Sequence, residues 1–115
     1  MEVLTLLIKT KSFEQIILGE KKDEVREITP SSQDKYITVT PEEVTIRLYD
    51  AIRFVAGNQS DSPEALVKIE KIDLEYEPDE EGYIQLEETE EGKLIIMDAS
   101  MVYSLGNVLE TKNLK

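Results

Sequence analysis

The chain contains no histidine, no cysteine and no tryptophan among its 115 residues. Without histidine it lacks the commonest general base and the commonest metal ligand. Without cysteine it can form neither disulfides nor thiolate metal sites. No apolar run approaches the roughly 20 residues that a membrane helix needs, and the N-terminal segment lacks the basic region of a signal peptide. We therefore expect a cytoplasmic protein without a membrane segment, a metal or another cofactor.

Basic residues are also scarce, because 13 Lys and Arg stand against 25 Asp and Glu, a net charge of −12. The excess is uneven: residues 1–56 hold eight bases and ten acids, and the remainder holds five and fifteen. Phosphate contacts supply most non-specific affinity for nucleic acids, so we expect no binding to long duplex DNA. Single nucleotides and short RNA stay possible. The length and composition predict a single domain over residues 1–115.

A helix followed by a strand is predicted around Gly19. Ser12 and Gln15 have the spacing of a capping box at a helix N-terminus. Gly19 suits the left-handed conformation that ends many helices. Three apolar residues then share one helical face: Phe13, Ile16 and Ile17. This pattern predicts an amphipathic helix that stops just before a cluster of charged residues.

The charged cluster has the spacing Gly19-x-Lys21-x-x-Glu24-x-Arg26. On an extended strand Glu24 and Arg26 lie on one face, about 7 Å apart. Val25 lies on the opposite face, which we predict to be the core face. The two cations and the carboxylate could bind an anionic ligand, with Glu24 orienting the cations. Alternatively, they form a surface ion pair worth about 0–1 kcal/mol.

The rest of the chain predicts six or seven short strands. Residues 3–8 are apolar on both faces and are expected to be covered on both sides. The alternation breaks near Glu70-Lys71, which indicates a bulge or bend, and Gly106-Asn107 indicates another. Residues 40–43 are predicted to form one helical turn. The fold class is therefore α+β, a small mixed β-barrel of six to seven strands with one main helix capping one end.

Two further segments are notable for their polar residues. Residues 75–91 hold nine acids and no base, within an acidic excursion over about 75–92. Their spacing does not fit a calcium loop, so a solvated, partly mobile segment is favoured over a metal site. Asn58 follows a predicted strand, where it could form a turn or contact a ligand.

The cluster at residues 19–26 resembles the signature of ASCH domains in the PUA-like superfamily, as found in small stand-alone bacterial proteins. Two later segments also resemble the family: Tyr49-Asp50-Ala51-Ile52-Arg53-Phe54 and Met101-Val102-Tyr103-Ser104-Leu105-Gly106-Asn107-Val108-Leu109. The resemblance implies a barrel with a cleft that binds RNA or a nucleotide-like molecule. The implied ligand-binding residues are Lys21, Glu24, Arg26 and Asn58, and Gly19 and Asp50 belong to the structural motif.

The resemblance also leaves two other functions open. Some small ASCH proteins are amidohydrolases that act on acetylated cytidine with a lysine, a threonine and a glutamate. Lys21 matches that lysine, whereas Glu24 stands where the threonine would be, and no residue is assigned to the third role. Under this alternative Lys21 and Glu24 would be catalytic. The remaining alternative is a non-catalytic interaction protein whose acidic loop meets a basic partner.

Overall fold

A computed structural model describes residues 1–114. In that range the chain forms nine strands and two helices. Their bounds, in chain order, are β1 Val3–Leu7, α1 Thr10–Ile17, β2 Asp23–Glu27, α2 Gln33–Tyr36, β3 Ile37–Val39, β4 Val44–Ile46, β5 Ala51–Val55, β6 Glu64–Tyr76, β7 Leu86–Glu88, β8 Leu94–Ile96 and β9 Ala99–Lys112. None of the helices in the described part is long and apolar enough to cross a membrane.

The strands form one open sheet of five and two separate pairs. The large sheet has the order β1-β5-β6-β9-β2, while β3 pairs with β4 and β7 with β8. The predicted mixed α+β class is confirmed. The closed barrel of six to seven strands is wrong for residues 1–114, because the four strands of the pairs, each three residues long, stay outside the main sheet. Hydrophobic alternation identifies strands but does not say which strands pair.

The chain contacts define two compact units. The first contains Met1–Glu24, Leu48–Ile72 and the residues from Tyr103 onward, and the second contains Val25–Arg47 and Asp73–Val102. The single domain over residues 1–115 stays a prediction.

In the first unit β1 runs parallel to β5, with Leu4 beside Ile52 and Leu6 beside Phe54. All four of these side chains are buried. Strand β5 then pairs antiparallel with β6. Leu7, on the other face of β1, is exposed, so the expectation that both faces of this strand are covered is wrong. Two successive exposed residues, Glu70 and Lys71, interrupt the burial pattern of β6, at the position where the sequence pattern predicts a bend.

Helix α1 begins earlier than the capping-box prediction. Its N-cap is Lys9, which makes no side-chain cap bond, and the Phe13 amide donates to the Lys9 carbonyl at 2.9 Å. That bond closes the first turn before Ser12, which therefore lies inside the helix. The capping box of Ser12 and Gln15 is wrong for this reason. The apolar face is as predicted, since Phe13 and Ile16 are buried.

Strand β9 continues through Gly106 to Lys112. A Cβ at this position would lie 3.0 Å from Cγ of Glu70, on a neighbouring strand of the sheet. The glycine therefore leaves room for the Glu70 side chain. The predicted bulge or bend at Gly106-Asn107 stays a prediction.

In the second unit a buried side-chain amide joins the short helix α2 to the β7–β8 hairpin. The Gln33 side chain accepts a hydrogen bond from the Ile96 amide at 2.7 Å and donates to the Leu94 carbonyl at 2.9 Å. These two bonds connect α2 to β8. The predicted helical turn at residues 40–43 is wrong: the Thr40 amide donates to the Glu43 carbonyl at 2.9 Å, which makes this segment the tight turn between β3 and β4.

Candidate functional site

The end of α1 positions the first cation of the cluster. Gly19 has φ +74°, its amide donates to Ile16, and the Glu20 amide donates to Gln15. This pair of bonds is the Schellman motif, which needs a left-handed residue after the helix. The Lys21 amide also donates to the Gln15 carbonyl, at 3.1 Å. Lys21 therefore starts from a backbone that is fixed by the helix terminus.

Strand β2 directs the acidic member of the cluster inward. Glu24 is buried, Arg26 is half-buried and Ile28 is buried, whereas Val25 is 57% exposed. The shared face of Glu24 and Arg26 is as predicted, but the prediction that Val25 faces the core is wrong. The apolar residue faces solvent because the opposite face carries the charged pair and Ile28, and strand alternation allows only one of the two sets inside.

Lys21 and Glu24 form an ion pair, with Nζ 3.2 Å from Oε1. The Glu24 side chain is only 7% exposed, while the Lys21 side chain is 27% exposed. A buried carboxylate is costly unless it is paired and hydrogen-bonded. Glu24 makes at least one interaction in addition to Lys21, and Arg26 also has a partner. The pair thus holds the Lys21 ammonium group against Glu24, while part of the Lys21 side chain stays open to solvent.

The pairing of β2 with β9 places a tyrosine beside Glu24. The Ile28 amide donates to Ala99 and the Leu105 amide donates to Lys22, so the two strands are antiparallel. The two bonds are six positions apart on each strand, which sets Glu24 opposite Tyr103. Directly opposite residues project to the same face of a sheet, and Tyr103 is fully buried. The carboxylate therefore shares its face of the sheet with a buried aromatic side chain.

Asn58, the other predicted ligand contact, lies in the exposed turn after β5. Its side chain accepts a hydrogen bond from Gln59 Nε2 at 3.3 Å, and the Gln59 amide donates to Ser62 Oγ at 2.9 Å. Asn58 lines a shallow surface depression together with Lys9. These contacts are those of a turn residue.

Asp50 has the structural position expected from the sequence. Its Oδ2 accepts a hydrogen bond from the Glu2 amide at 2.8 Å, and its own amide donates one to the Glu2 carbonyl at 2.8 Å. Its carbonyl accepts the Ile69 amide at 3.0 Å. Asp50 therefore joins the starts of β1 and β5 to β6.

Two features of the described residues had no signal in the sequence analysis. One is the buried amide of Gln33, which lies in a turn-rich stretch where polar residues are usually exposed. The other is a groove between the turn at residues 40–43 and the acidic segment. Across residues 1–114 no group of three or more Asp or Glu side chains is arranged to hold a metal ion.

The fold and the ion pair define a small mixed α+β protein with one main open sheet and a buried carboxylate beside a partly exposed lysine. Comparisons with known protein families, with curated proteins and with solved structures found no match. The likeness to ASCH domains therefore stays a prediction from the residues that carry it.

Proposed function

We propose that Lys21 and Arg26 bind an anionic or hydrogen-bond-accepting group of a small nucleotide-like ligand, and that Glu24 holds Lys21 in position. The observation that carries the proposal is the 3.2 Å pair between Lys21 and the buried Glu24. Replacing a buried ion pair by apolar residues is often neutral or stabilising, so stability is a weak reason to have one. A lysine ammonium that is fixed in position, on a partly exposed side chain, favours recognition of an anion.

The charge of the whole chain favours a small ligand over a long polyanion. A protein of net charge −12 repels a nucleic acid at long range, and each added phosphate increases that repulsion. A mononucleotide or a short RNA end presents one or a few charges, which two local cations can neutralise. The resemblance to ASCH domains supports the same ligand class. A bacterial source and a cytoplasmic location stay predictions from the sequence.

The amidohydrolase alternative has one observation in its favour. Lys21 and Glu24, the two residues that would be catalytic, are in direct contact. The contact pairs the ammonium with a carboxylate, an arrangement that suits a hydrogen-bond donor better than a nucleophile. Incubation with acetylated cytidine tests this alternative: loss of the acetyl group, measured by mass, would establish it and would replace the binding proposal.

Calorimetric titration of the wild type tests the binding proposal. The ligands are cytidine, cytidine monophosphate, a dinucleotide and a short single-stranded RNA, each at low and at physiological salt. We expect the monophosphate to bind more tightly than the nucleoside. The salt dependence should correspond to about one or two phosphates, each contributing a slope of roughly −0.7 in log K against log salt. Failure of every ligand to bind, or a slope that grows steadily with RNA length, would contradict the proposal.

A further inference from the structure

A groove in the second unit is lined by aromatic, apolar and acidic side chains. Its volume is about 340 Å³, and its walls include the turn at residues 40–43, Tyr76, Tyr83 and Leu86. We call it the tyrosine groove. Tyr83 is 67% exposed and Tyr76 is 40% exposed, and Leu86 is also exposed. Grouped exposed apolar side chains on a small protein mark interaction sites more often than isolated ones do.

Hydrogen bonds order the backbone on both sides of the tyrosine groove. Asp79 Oδ1 accepts the amides of Glu81 and Tyr83, each at 2.9 Å, and the Asp79 amide donates to the Tyr83 carbonyl at 2.8 Å. On the other side Thr40 Oγ1 accepts the Glu43 amide at 3.1 Å. A surface that is already ordered loses less conformational entropy on binding. The loop that carries Tyr83 is therefore suited to recognition.

The charge around the tyrosine groove selects the kind of partner. The second unit, residues 25–47 and 73–102, contains four Lys and Arg against fifteen Asp and Glu, a net charge of −11. Glu42 and Glu43 line the groove itself and are exposed. A cationic partner is attracted to such a surface, and an anionic one is repelled.

We propose that the tyrosine groove binds an arginine-containing, positively charged segment of a partner protein. An arginine side chain stacks on the faces of Tyr76 or Tyr83 and reaches the carboxylates of Glu42 and Glu43. Tyrosine faces attract guanidinium groups, and tyrosine and arginine are both enriched where interfaces are strongest. The proposal gives the predicted interaction through the acidic loop a defined location. It does not depend on the Lys21 site.

A fluorescent peptide titration tests the proposal with the full chain. The probe is a short peptide rich in arginine and leucine, followed by anisotropy at physiological salt. Two matched peptides replace every arginine, one with lysine and one with neutral citrulline. Because lysine stacks less well on aromatic faces, we expect the lysine peptide to bind about three- to tenfold more weakly. The citrulline peptide should not bind detectably.

Variants then separate the groove from the general acidity of the chain. Tyr83→Ala should weaken binding of the arginine peptide by about threefold or more, while Tyr83→Phe keeps the ring and should bind nearly as the wild type. The double variant Glu42→Gln with Glu43→Gln should lose binding. Its control, Glu90→Gln with Glu91→Gln, removes the same charge from exposed positions of the same unit and should change affinity much less.

Two results would overturn the proposal. Equal loss of affinity in the two double variants would mean that binding of the peptide depends only on the net charge of the protein. Unchanged binding by Tyr83→Ala and by Tyr76→Ala, in variants that melt like the wild type, would remove the tyrosine rings from the interaction. A preference of the tyrosine groove for an anionic RNA over the arginine peptide would also contradict it.

Discussion

At the scale of single residues, strand β2 buries a charged side chain and exposes the apolar side chain next to it. Glu24 is buried against Lys21, and Val25 faces solvent. A hydrophobic pattern assigns an isolated valine to the core because burial of apolar area is the commonest stabilising term. The pattern carries no information about a buried carboxylate whose partner lies three residues away. The cluster itself was predictable from its spacing, whereas the depth of Glu24 was not.

The burial of Glu24 predicts an asymmetric response to substitution. Glu24→Gln keeps the shape but leaves the Lys21 ammonium without its ionic partner, so it should lower the free energy of unfolding by about 1–3 kcal/mol. Part of the Lys21 side chain reaches water, which limits the loss. Val25→Thr, a β-branched change on the exposed face of the same strand, should stay within about 0.5 kcal/mol of the wild type. Urea denaturation of both variants measures the difference, and equal losses would contradict the assigned faces.

At the scale of elements, the existence of most strands and of α1 could be predicted, but boundaries and partners could not. The start of α1 is determined by the hydrogen bond from the Phe13 amide to the Lys9 carbonyl. The preference of serine for helix N-caps, on which the prediction at Ser12 depends, gives no information about that bond. Its end could be predicted because Gly19 is the residue type that the left-handed position favours. The pairing of β7 with β8 could not be predicted from the sequence, because Leu86–Glu88 is short, acidic and exposed.

The uncapped N-terminus of α1 predicts which substitutions stabilise the helix. Ser12 lies inside the helix, where alanine has the higher helix propensity, so Ser12→Ala should raise stability by up to about 0.5 kcal/mol. Lys9→Ser introduces a hydroxyl that can accept a hydrogen bond from an unpaired amide of the first turn, and it should raise the free energy of unfolding by about 0.5–1 kcal/mol. Thermal melts of the two variants check these signs. A clear loss in Ser12→Ala would instead restore Ser12 as the helix cap.

The hydrogen bonds of the Gln33 side chain connect α2 to the β7–β8 hairpin, so we expect their loss to destabilise that hairpin. Gln33→Leu removes the bonds to Leu94 and Ile96 and leaves a buried amide and a carbonyl unpaired, at a cost of about 1–3 kcal/mol. Hydrogen exchange in residues 86–96 should accelerate. Asp34→Asn breaks only the exposed ion pair with Lys93 and should cost less than about 1 kcal/mol. If both variants exchange at the same rate, Gln33 does not hold the hairpin.

At the scale of the whole molecule, the acid excess works against folding. Most of it lies in the second unit, where like charges repel one another in the compact state. The net charge could be read from the composition, but its concentration in one compact unit required the fold, because residues 25–47 and 73–102 are distant in sequence.

This repulsion predicts a salt-stabilised protein. Raising sodium chloride from about 0.02 M to about 0.5 M shortens the screening length from roughly 20 Å to roughly 4 Å. We expect the melting temperature to rise by about 4 °C or more. The double variant Glu90→Gln with Glu91→Gln has less charge to screen and should show a smaller rise. A melting temperature that falls with added salt would indicate that attractive ion pairs dominate instead.

The central claim, that Lys21 is held by Glu24 to bind a nucleotide-like ligand, is tested most directly by one ratio of affinities. Lys21→Met and Lys22→Met remove the same charge from adjacent positions, and only Lys21 pairs with the buried carboxylate. Calorimetry with cytidine monophosphate at physiological salt should give an affinity at least about tenfold weaker for Lys21→Met, since a charged hydrogen bond is worth roughly 1.5–3 kcal/mol. Lys22→Met should bind like the wild type. Equal affinities for the two variants would contradict the account and remove Lys21 from the binding site.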